Sequence, residues 1–262
     1  MTATPKGLPP LKVLALDIET APNLCYTWGL FNQNIGINQI KEHPRIICFS
    51  AQWEGEKKVL FWSEYHDSVE EMLSALHMLL DECDVLVGWN SKGFDAKWIE
   101  GELQLAGFPP ISPFHHLDLL LHFRKHSRFV SKKLDYVSER LLAENKVTHD
   151  GMIMWRACIE PDFDPALKKK YWTLMKKYAI KDTALLFQIL DAVRGWVKMP
   201  TPVSADGDYS CPNCGSLNVQ QRGYYRTPAS LFKKFVCMED KCGKWGRAAT
   251  RERATNMIRS TD

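Results

Sequence analysis

The hydrophobic pattern in the first third of the chain predicts strands followed by a helix. Apolar runs at residues 12–20, 45–53 and 57–62 are typical of strands, and a turn-like segment at 54–56 joins the last two. Apolar positions then recur at helical spacing over residues 69–80, which predicts an amphipathic helix. We therefore expect an antiparallel meander that is followed by a helix.

The rest of the hydrophobic pattern alternates between strands and helices. It predicts a strand at residues 84–89, a helix at 94–105, a strand at 114–121, a helix at 134–142 and a long helix at 171–196. Such alternation is typical of parallel sheets. The expected fold class is α/β, with a mixed sheet that begins as an antiparallel meander, continues with parallel strands and is flanked by helices.

A change in composition near residue 198 predicts a second, smaller domain. Residues 198–208 are rich in Pro, Ser, Gly and Asp, which is typical of a linker. We therefore expect one domain over residues 1–197, a small C-terminal domain over 209–248 and a basic tail over 249–262.

The composition is that of a folded protein without a membrane span. Hydrophobic residues make up 45% of the 262 residues and charged residues 25%, which is ordinary for a globular chain. No apolar run approaches the ~20 residues of a membrane helix, and the first ten residues lack the apolar core of a signal peptide. We therefore expect a cytoplasmic protein without membrane association, in the host cytoplasm if it is phage-encoded.

Charge is divided unevenly along the chain. Residues 209–262 contain ten Lys or Arg and four Asp or Glu, a net charge of +6, which leaves 24 and 27, a net charge of −3, for residues 1–208. A basic C-terminal part suits contact with a polyanion, and an acidic body suits a site that is built from carboxylates.

Two carboxylates interrupt the apolar strand that is predicted at residues 12–20. Asp17 and Glu19 are two residues apart, so their side chains project from the same face of a strand. Like charges in an apolar strand are unfavourable unless a cation compensates them. Either the strand frays at Asp17 and both acids face water, or the pair belongs to a cation site.

Two further acids stand where chemistry can use them. Asp95 follows a buried strand and starts a helix, which is a common place for ligands in α/β folds. An acid at that point also stabilises the helix terminus by electrostatics alone. Asp182 lies four residues after Tyr178 in the long helix, so the two side chains share one helix face.

The order of these motifs resembles the DEDD superfamily of 3′–5′ exonucleases, which has a ribonuclease H-like fold. The motifs D-x-E, N-x-x-x-F-D and Y-x-x-x-D follow one another and end at Glu19, Asp95 and Asp182. Lys177 occupies the position at which the histidine branch has its histidine, so the match is to the tyrosine branch. The resemblance covers residues 11–196 and extends to proofreading domains of family B polymerases and to free-standing phage and bacterial exonucleases.

The resemblance implies a two-metal-ion mechanism. Mg²⁺ and Mn²⁺ prefer oxygen ligands, and two such ions clamp the attacking and leaving oxygens of phosphodiester hydrolysis. The implied ligands are Asp17, which bridges both ions, Glu19, Asp95 and Asp182. Tyr178 is implied to orient or deprotonate the attacking water, and an ordinary tyrosine pKa of about 10 favours orientation.

Four residues of this domain are candidates for contact with nucleic acid. The resemblance implies that Asn90 and Phe94 contact the 3′-terminal nucleotide, while a strand-end Asn and a core Phe are the alternative. Ser131 and Lys132 belong to a segment that the family holds near its substrate, and a solvated helix start is the alternative there.

Four of the eight cysteines form two short pairs in the C-terminal part. Two residues separate Cys211 from Cys214, four separate Cys237 from Cys242, and Gly follows each pair. Two such pairs can complete a tetrahedral Cys₄ site for one structural Zn²⁺. The pattern resembles a zinc ribbon, in which the metal stabilises a segment that is too small for a sufficient core.

Basic and aromatic residues are interleaved in the predicted ribbon. Basic groups can neutralise phosphates while aromatic rings stack on bases, and the same residues suit a small aromatic core under a basic surface. The candidates for contact with nucleic acid are Arg222, Tyr224, Tyr225, Arg226, Lys233, Lys234 and Trp245.

These features together predict a metal-dependent 3′–5′ exonuclease for nucleic acid with a free 3′ end, with single-stranded DNA favoured over RNA. Because no polymerase domain is recognised in the sequence, a proofreading role would need a replication or repair protein in trans. The alternatives are a non-catalytic module that binds nucleic acid or a partner protein, and an endonuclease on the same fold.

Overall fold

The structure is a computed structural model in which two compact units are distinguished. One unit is Lys12–Gln188, and the other contains the described residues from Ile189 onward. The predicted linker residues 201–208 and tail residues 255–262 lie outside the described part of the chain. The structure describes residues 11–144, 147–200, 209–227 and 229–254.

The larger unit combines short strands with helices on both sides of a sheet. Its strands are β1 (Val13–Thr20), β2 (Leu24–Cys25), β3 (Ile40–Glu42), β4 (Ile46–Trp53), β5 (Leu60–Ser63), β6 (Val85–Gly88) and β7 (His115–Asp118). Its helices are α1 (Val69–Glu82), α2 (Asp95–Leu105), α3 (Leu119–His126), α4 (Leu134–Leu142), α5 (Met152–Ile159) and α6 (Pro165–Val193), the last of which continues into the smaller unit. None of the helices that the structure describes combines the length and apolar character of a membrane span.

Five strands form a mixed sheet in the order β5-β4-β1-β6-β7. The pairs β1–β4 and β4–β5 are antiparallel, whereas β1–β6 and β6–β7 are parallel. The predicted fold class, an antiparallel meander followed by parallel strands with flanking helices, is therefore confirmed. The small β2–β3 pair is a separate antiparallel sheet.

Different helices cover the two faces of the main sheet. Leu16 on β1 belongs to a buried cluster that includes Ile99 of α2 and residues of α1. Cys48 on β4 instead packs with Trp172 of α6 and with residues of α5. Since Glu19 is the register partner of Cys48 and opposite residues share a face, the two strand acids project on the α5–α6 side.

A buried serine fastens α6 to this face of the sheet. Ser50 on β4 is fully buried, and its Oγ donates to the carbonyl oxygen of Ala179 over 2.8 Å. The Oγ also lies 2.6 Å from Oγ1 of Thr183, with which it shares a hydrogen bond. Ser50 is the register partner of Asp17, so these bonds hold α6 over the strand that carries the carboxylate pair.

Two predicted elements differ from those in the structure, and each difference has a local cause. The strand predicted at residues 114–121 ends at Asp118, because the Asp118 carboxylate caps α3 by accepting the N–H of Leu121 over 3.2 Å. The long helix begins at Pro165, where Asp164 accepts the N–H of Leu167 over 2.8 Å. The pattern also missed α5 and the β2–β3 pair, which are short.

The smaller unit contains a sheet that is centred on β9 (Ser230–Cys237). β8 (Val219–Arg226) pairs with one edge of β9. The short strands β10 (Trp245–Arg247) and β11 (Arg253–Ala254) share the other edge. Gly223 adopts a φ of 72° at a register shift in β8, where a bulge interrupts the pairing.

We expect Ser50→Ala to lower the free energy of unfolding of the larger unit by about 1–2 kcal/mol, because it removes two buried hydrogen bonds. Urea unfolding followed by tryptophan fluorescence measures this loss. Ser127→Ala, at a half-buried serine of the same unit, serves as the control. An equal effect of the two substitutions would contradict an anchoring role for Ser50.

Candidate functional site

The candidate strand acids line a cleft of about 840 Å³ in the larger unit. β1 continues past Asp17 to Thr20, with Asp17 opposite Ser50 and Glu19 opposite Cys48 on β4. Both acids are half-buried. The strand therefore does not fray at Asp17, and its pairing with β4 holds both carboxylates on the side of the cleft.

Asp95 joins the strand acids through the backbone of β1. Its side chain is 3% exposed, and its Oδ1 accepts the N–H of Ile18, between Asp17 and Glu19, over 3.2 Å. Burial raises the pKa of Asp95 to about 6, and the charge of Asp118 adds to the rise, while hydrogen bonds from backbone N–H groups oppose it. Asp95 is thus an acid that the fold holds against the backbone of the carboxylate strand.

Tyr178 and Asp182 reach the same cleft from α6. The two residues are one helical turn apart on α6, so their side chains share one face of the helix. Burial raises the pKa of Tyr178 above its ordinary value, the charge of Asp182 is the next cause, and the charges of the strand acids act in the same direction. Tyr178 therefore keeps its proton at neutral pH, and its hydroxyl is a donor rather than a base.

The structure therefore brings three distant segments together at one cleft. Asp17, Glu19, Tyr178 and Asp182 line it, and Asp95 is hydrogen-bonded to the backbone of β1. Their oxygen donors match the ligands that Mg²⁺ and Mn²⁺ prefer, and a buried acid such as Asp95 is stabilised by a nearby cation. In the described residues, no three of these carboxylates have ligand atoms that all lie within 4.8 Å of one another. The group that meets this spacing there is a cluster of cysteines.

The cleft also has a basic wall that was only partly predicted. Lys132 lines the cleft, as predicted for a substrate-side residue, together with Arg124 and Lys133. The ammonium group of Lys132 donates to the carbonyl oxygen of Phe129. Ser131 is not among the cleft-lining residues of the described chain, and its Oγ accepts the N–H of Lys133 over 3.2 Å.

A histidine that the sequence pattern did not single out stands beside Tyr178. His149 lines the cleft, and its ring centroid lies 5.1 Å from that of Tyr178 in an edge-to-face arrangement. Its Nδ1 accepts the N–H of Gly151 over 3.0 Å, so the neutral ring carries its proton on Nε2. His149 has no metal-ligand spacing in the sequence, and only the folded chain reveals its position.

Asn90 and Phe94 lie at the turn before α2 and are not among the residues that line the cleft in the described chain. Asn90 adopts a left-handed φ of 63°, and its N–H donates to Asp118 over 3.1 Å. The N–H of Lys92 donates to the same carboxylate over 3.1 Å. The buried Asp118 thus fixes the turn that leads to Asp95, and the 40% exposed Phe94 contacts the ring of Trp98.

The four C-terminal cysteines form a compact cluster in the smaller unit. Their sulfur atoms all lie within 4.8 Å of one another, with Cys211 3.7 Å from Cys242 and Cys214 3.6 Å from Cys237. This is the group of described residues that could hold a metal ion at the spacing of direct ligands. The two pairs that the sequence predicts to act together are therefore brought together.

The surroundings of the cysteine cluster fix its two loops. The buried Asn213 donates through Nδ2 to the carbonyl oxygen of Arg194 over 2.8 Å and to the sulfur of Cys242 over 3.6 Å. A Cβ atom on Gly195 would lie 1.9 Å from the carbonyl oxygen of Cys242, so this close approach requires glycine. The end of α6 and the segment after it are thus part of the same unit as the cysteines.

The candidate nucleic-acid contacts of the smaller unit divide between the two faces of its sheet. Tyr224 is opposite Lys233, and Arg226 is opposite Leu231, whereas Tyr225 is opposite Phe232. Because opposite residues share a face and neighbours alternate, the face of Tyr224, Arg226 and Lys233 excludes Tyr225, Lys234 and Trp245. Arg222 lies at the bulge and donates to the side chain of Gln220 over 2.9 Å.

Comparison with known proteins connects the larger unit with one superfamily. A family model described as the RNase_H superfamily matches residues 14–194. Among the similar solved structures is the family B DNA polymerase from the hyperthermophilic archaeon Pyrobaculum calidifontis, with a TM-score of 0.52 and 16% sequence identity over 84% of this chain. The match covers 32% of the polymerase chain, and at this identity the likeness concerns the fold. No curated protein matches the sequence.

The raised pKa of Asp95 predicts that its ionised side chain lowers the stability of the metal-free protein, by an amount that depends on pH. In the folded protein the pKa of Asp95 is about 6, above its ordinary value of 3.8. The contribution of Asp95 to the free energy of unfolding is therefore complete below about pH 4 and is lost as the pH rises through 6. Asp95→Asn should therefore be more stable than the parent at pH 8, by up to about 3 kcal/mol, and equal to it near pH 4.

Urea unfolding at pH 4, 6 and 8, after removal of Mg²⁺ and Mn²⁺, measures this difference. The amide side chain of the Asp95→Asn variant keeps an oxygen that can accept the Ile18 N–H, so the comparison isolates the charge. Asp162→Asn, at an exposed position, is the control. A difference between Asp95→Asn and the parent that is constant with pH would refute the assignment.

Proposed function

The chain belongs to the RNase_H superfamily, and from this premise we propose that it is a metal-dependent 3′–5′ exonuclease. The substrate is nucleic acid with a free 3′ end, and single-stranded DNA is the favoured form. The likeness of fold to a family B DNA polymerase supports DNA over RNA. The 3′–5′ direction rests on the order of the three sequence motifs and on the tyrosine of the third.

The observation that carries the proposal is the convergence of Asp17, Glu19, Tyr178 and Asp182 on one cleft. Asp17 and Glu19 lie near the start of the larger unit's sequence, and Tyr178 and Asp182 lie near its end. Asp95 lies between them in the sequence and accepts a hydrogen bond from the backbone of β1. A structural explanation for a single acid does not account for several acids and a tyrosine that meet on one side of the sheet.

In this proposal Asp17, Glu19, Asp95 and Asp182 would hold two Mg²⁺ or Mn²⁺ ions, with Asp17 as the ligand that both ions would share. When bound, the ions neutralise charge on the phosphate and lower the pKa of the attacking water. The donor set supports hard cations, since every proposed ligand atom is a carboxylate oxygen. Bound cations would offset the negative charge of these acids, including that of the buried Asp95.

Tyr178 orients the attacking water in this proposal and does not deprotonate it. Its raised pKa keeps the phenol protonated, so the hydroxyl group can act as a donor. Edge contact with His149 restricts the ring further. Arg124, Lys132 and Lys133 provide positive charge on the same cleft, which suits the phosphates of a bound strand.

We also propose that Cys211, Cys214, Cys237 and Cys242 hold one structural Zn²⁺ in a ribbon. Four thiolate donors at mutual distances below 4.8 Å match the tetrahedral sites that zinc occupies. In the described part of residues 209–248, the buried hydrophobic residues are Cys211, Cys237, Cys242 and Ala248. Metal binding would then supply much of its folding free energy.

Substitutions in the cleft test the exonuclease. We expect Asp17→Asn and Asp182→Asn to abolish degradation of 5′-labelled single-stranded DNA in Mn²⁺, because each removes a metal ligand. Tyr178→Phe should slow the reaction by about a hundredfold through a misplaced water while Mn²⁺ still binds by titration calorimetry. Tyr171→Phe, on the same helix but hydrogen-bonded to Asp150, should retain full activity.

The form of the substrate separates the proposal from its alternatives. An exonuclease cannot start on circular single-stranded DNA, and a 3′-blocked oligonucleotide should resist it, so cleavage of either would indicate an endonuclease. Activity that survives in pure Asp17→Asn and Asp182→Asn would exclude the cleft as the catalytic site. Absence of activity on matched DNA and RNA would favour a non-catalytic module.

Metal analysis tests the ribbon. We expect one zinc per chain by inductively coupled plasma mass spectrometry, and loss of that zinc in Cys214→Ser, because three thiolates leave the site open. Cys25→Ser, at a cysteine of the larger unit outside the cluster, should keep it. Equal zinc contents in the two variants would contradict the assignment.

A further inference from the structure

The sheet of the smaller unit has one face on which aromatic and basic side chains alternate. Along β9, residues 232, 234 and 236 project from the same side. Register places Tyr225 of β8 opposite Phe232, Arg247 of β10 opposite Lys234, and Trp245 opposite Val236. We call this the aromatic–basic face, and it consists of Tyr225, Phe232, Lys234, Trp245 and Arg247.

The side chains of the aromatic–basic face hold one another in place. The guanidinium carbon of Arg247 lies 3.9 Å from the ring centroid of Phe232 and 5.6 Å from that of Tyr225. The ammonium nitrogen of Lys234 lies 5.1 Å from the ring centroid of Trp245. These cation–π contacts orient the cations against the rings and leave N–H donors directed away from them.

The opposite face is occupied by contacts within the unit. The ring of Phe235 packs 4.4 Å, centroid to centroid, from that of Tyr209. Lys233 lies 5.8 Å above Tyr209 and forms an ion pair with Glu252 over 3.2 Å. Phe235 and Lys233 of this face are therefore used for packing and for neutralisation of charge.

The aromatic–basic face differs in the surroundings of its cations, and it combines them with exposed rings. Within the described residues, no ion pair joins Lys234 or Arg247 to a carboxylate. Tyr225 is 47% exposed and Trp245 is 51% exposed. The face therefore offers positive charge and open ring surfaces over a sheet that is three strands, or about 10 Å, wide.

We propose that the aromatic–basic face binds single-stranded nucleic acid, with unpaired bases stacked on Tyr225 and Trp245 and phosphates held by Lys234 and Arg247. The net charge of +6 over residues 209–262 complements the backbone of such a strand. Paired bases in a duplex have no free faces for the two rings, so a single strand is the preferred form. An acidic protein would use the cations but gains little from the open rings.

This site goes beyond the proposed nuclease and does not depend on it. The aromatic–basic face contains none of the cleft residues, and it would bind strands in a chain that hydrolyses nothing. It also changes the set of residues that are predicted to contact nucleic acid. Tyr224, Arg226 and Lys233 lie on the opposite face and leave the set, and Phe232 and Arg247 join it.

Binding is measured with the full-length Asp182→Asn chain, loaded with zinc and without added Mg²⁺ or Mn²⁺, so that no probe is consumed. The probes are fluorescein-labelled oligothymidylate, oligouridylate, a DNA duplex and a thymidylate strand in which abasic units replace the bases. We expect the single strands to bind most tightly, and the abasic strand to bind weakly, because it keeps the phosphates and loses stacking. The two single strands decide between DNA and RNA.

Matched pairs of substitutions separate the two faces. Trp245→Ala should weaken single-strand binding roughly 5- to 100-fold, Trp245→Phe should restore most of it, and Tyr224→Ala, at a similarly exposed ring, should have no effect. Lys234→Gln should lower the slope of log K against log salt by about 0.7. Lys233→Gln, its neighbour on the opposite face, should leave the slope unchanged.

Several outcomes would overturn the proposal. Equal effects of the two members of either pair, equal affinity for the abasic strand, or tighter binding to the duplex would each exclude base stacking on this face. Absence of binding to every probe would favour a protein partner. Zinc content and circular dichroism establish that each variant is folded, and DNA degradation by the parent chain is measured separately, so failure of the nuclease proposal is distinguishable.

Discussion

The N–H of Ile18 donates to the buried carboxylate of Asp95, and this bond joins β1 to the start of α2 at a point flanked by two more acids. A backbone donor can compensate one buried oxygen, but it cannot balance several negative charges. The fold therefore stores electrostatic cost at the end of its central strand. Burial is the main cause of the raised pKa of Asp95, and the charge of Asp118 adds to it.

Strand pairing decides which elements meet these acids. Opposite residues of antiparallel strands share a face, so Asp17 projects on the same side as Ser50. Ser50 in turn bonds to Ala179 and Thr183 of α6. Tyr178 and Asp182 immediately precede these two anchor residues in the sequence, and this adjacency carries their side chains to the cleft. A shift of one residue between β1 and β4 would turn Asp17 toward the α1–α2 core and dismantle the arrangement.

The elements with strong periodicity were predictable from the sequence, because burial on one face imposes a period that local propensity supports. β1, α1 and α4 are examples, and the order of the motifs led to the candidate acids. The start of α6 was missed although Asp164 and Pro165 form a recognisable cap and first turn. The basic wall and His149 were not predictable to the same degree, since Arg124 and His149 come from segments without a diagnostic spacing and meet Tyr178 only through tertiary packing.

The ionic state of the cleft constrains its chemistry more than any single residue type. Burial raises the pKa of Tyr178, and the charges of Asp182, Glu19 and Asp17 raise it further, so the acids that line the cleft help to keep the phenol protonated. Under the proposed function, lowering of the water's pKa would come from bound cations rather than from this phenol. Neutralisation of the acids and activation of water would then have one cause, which suits a protonated tyrosine at position 178.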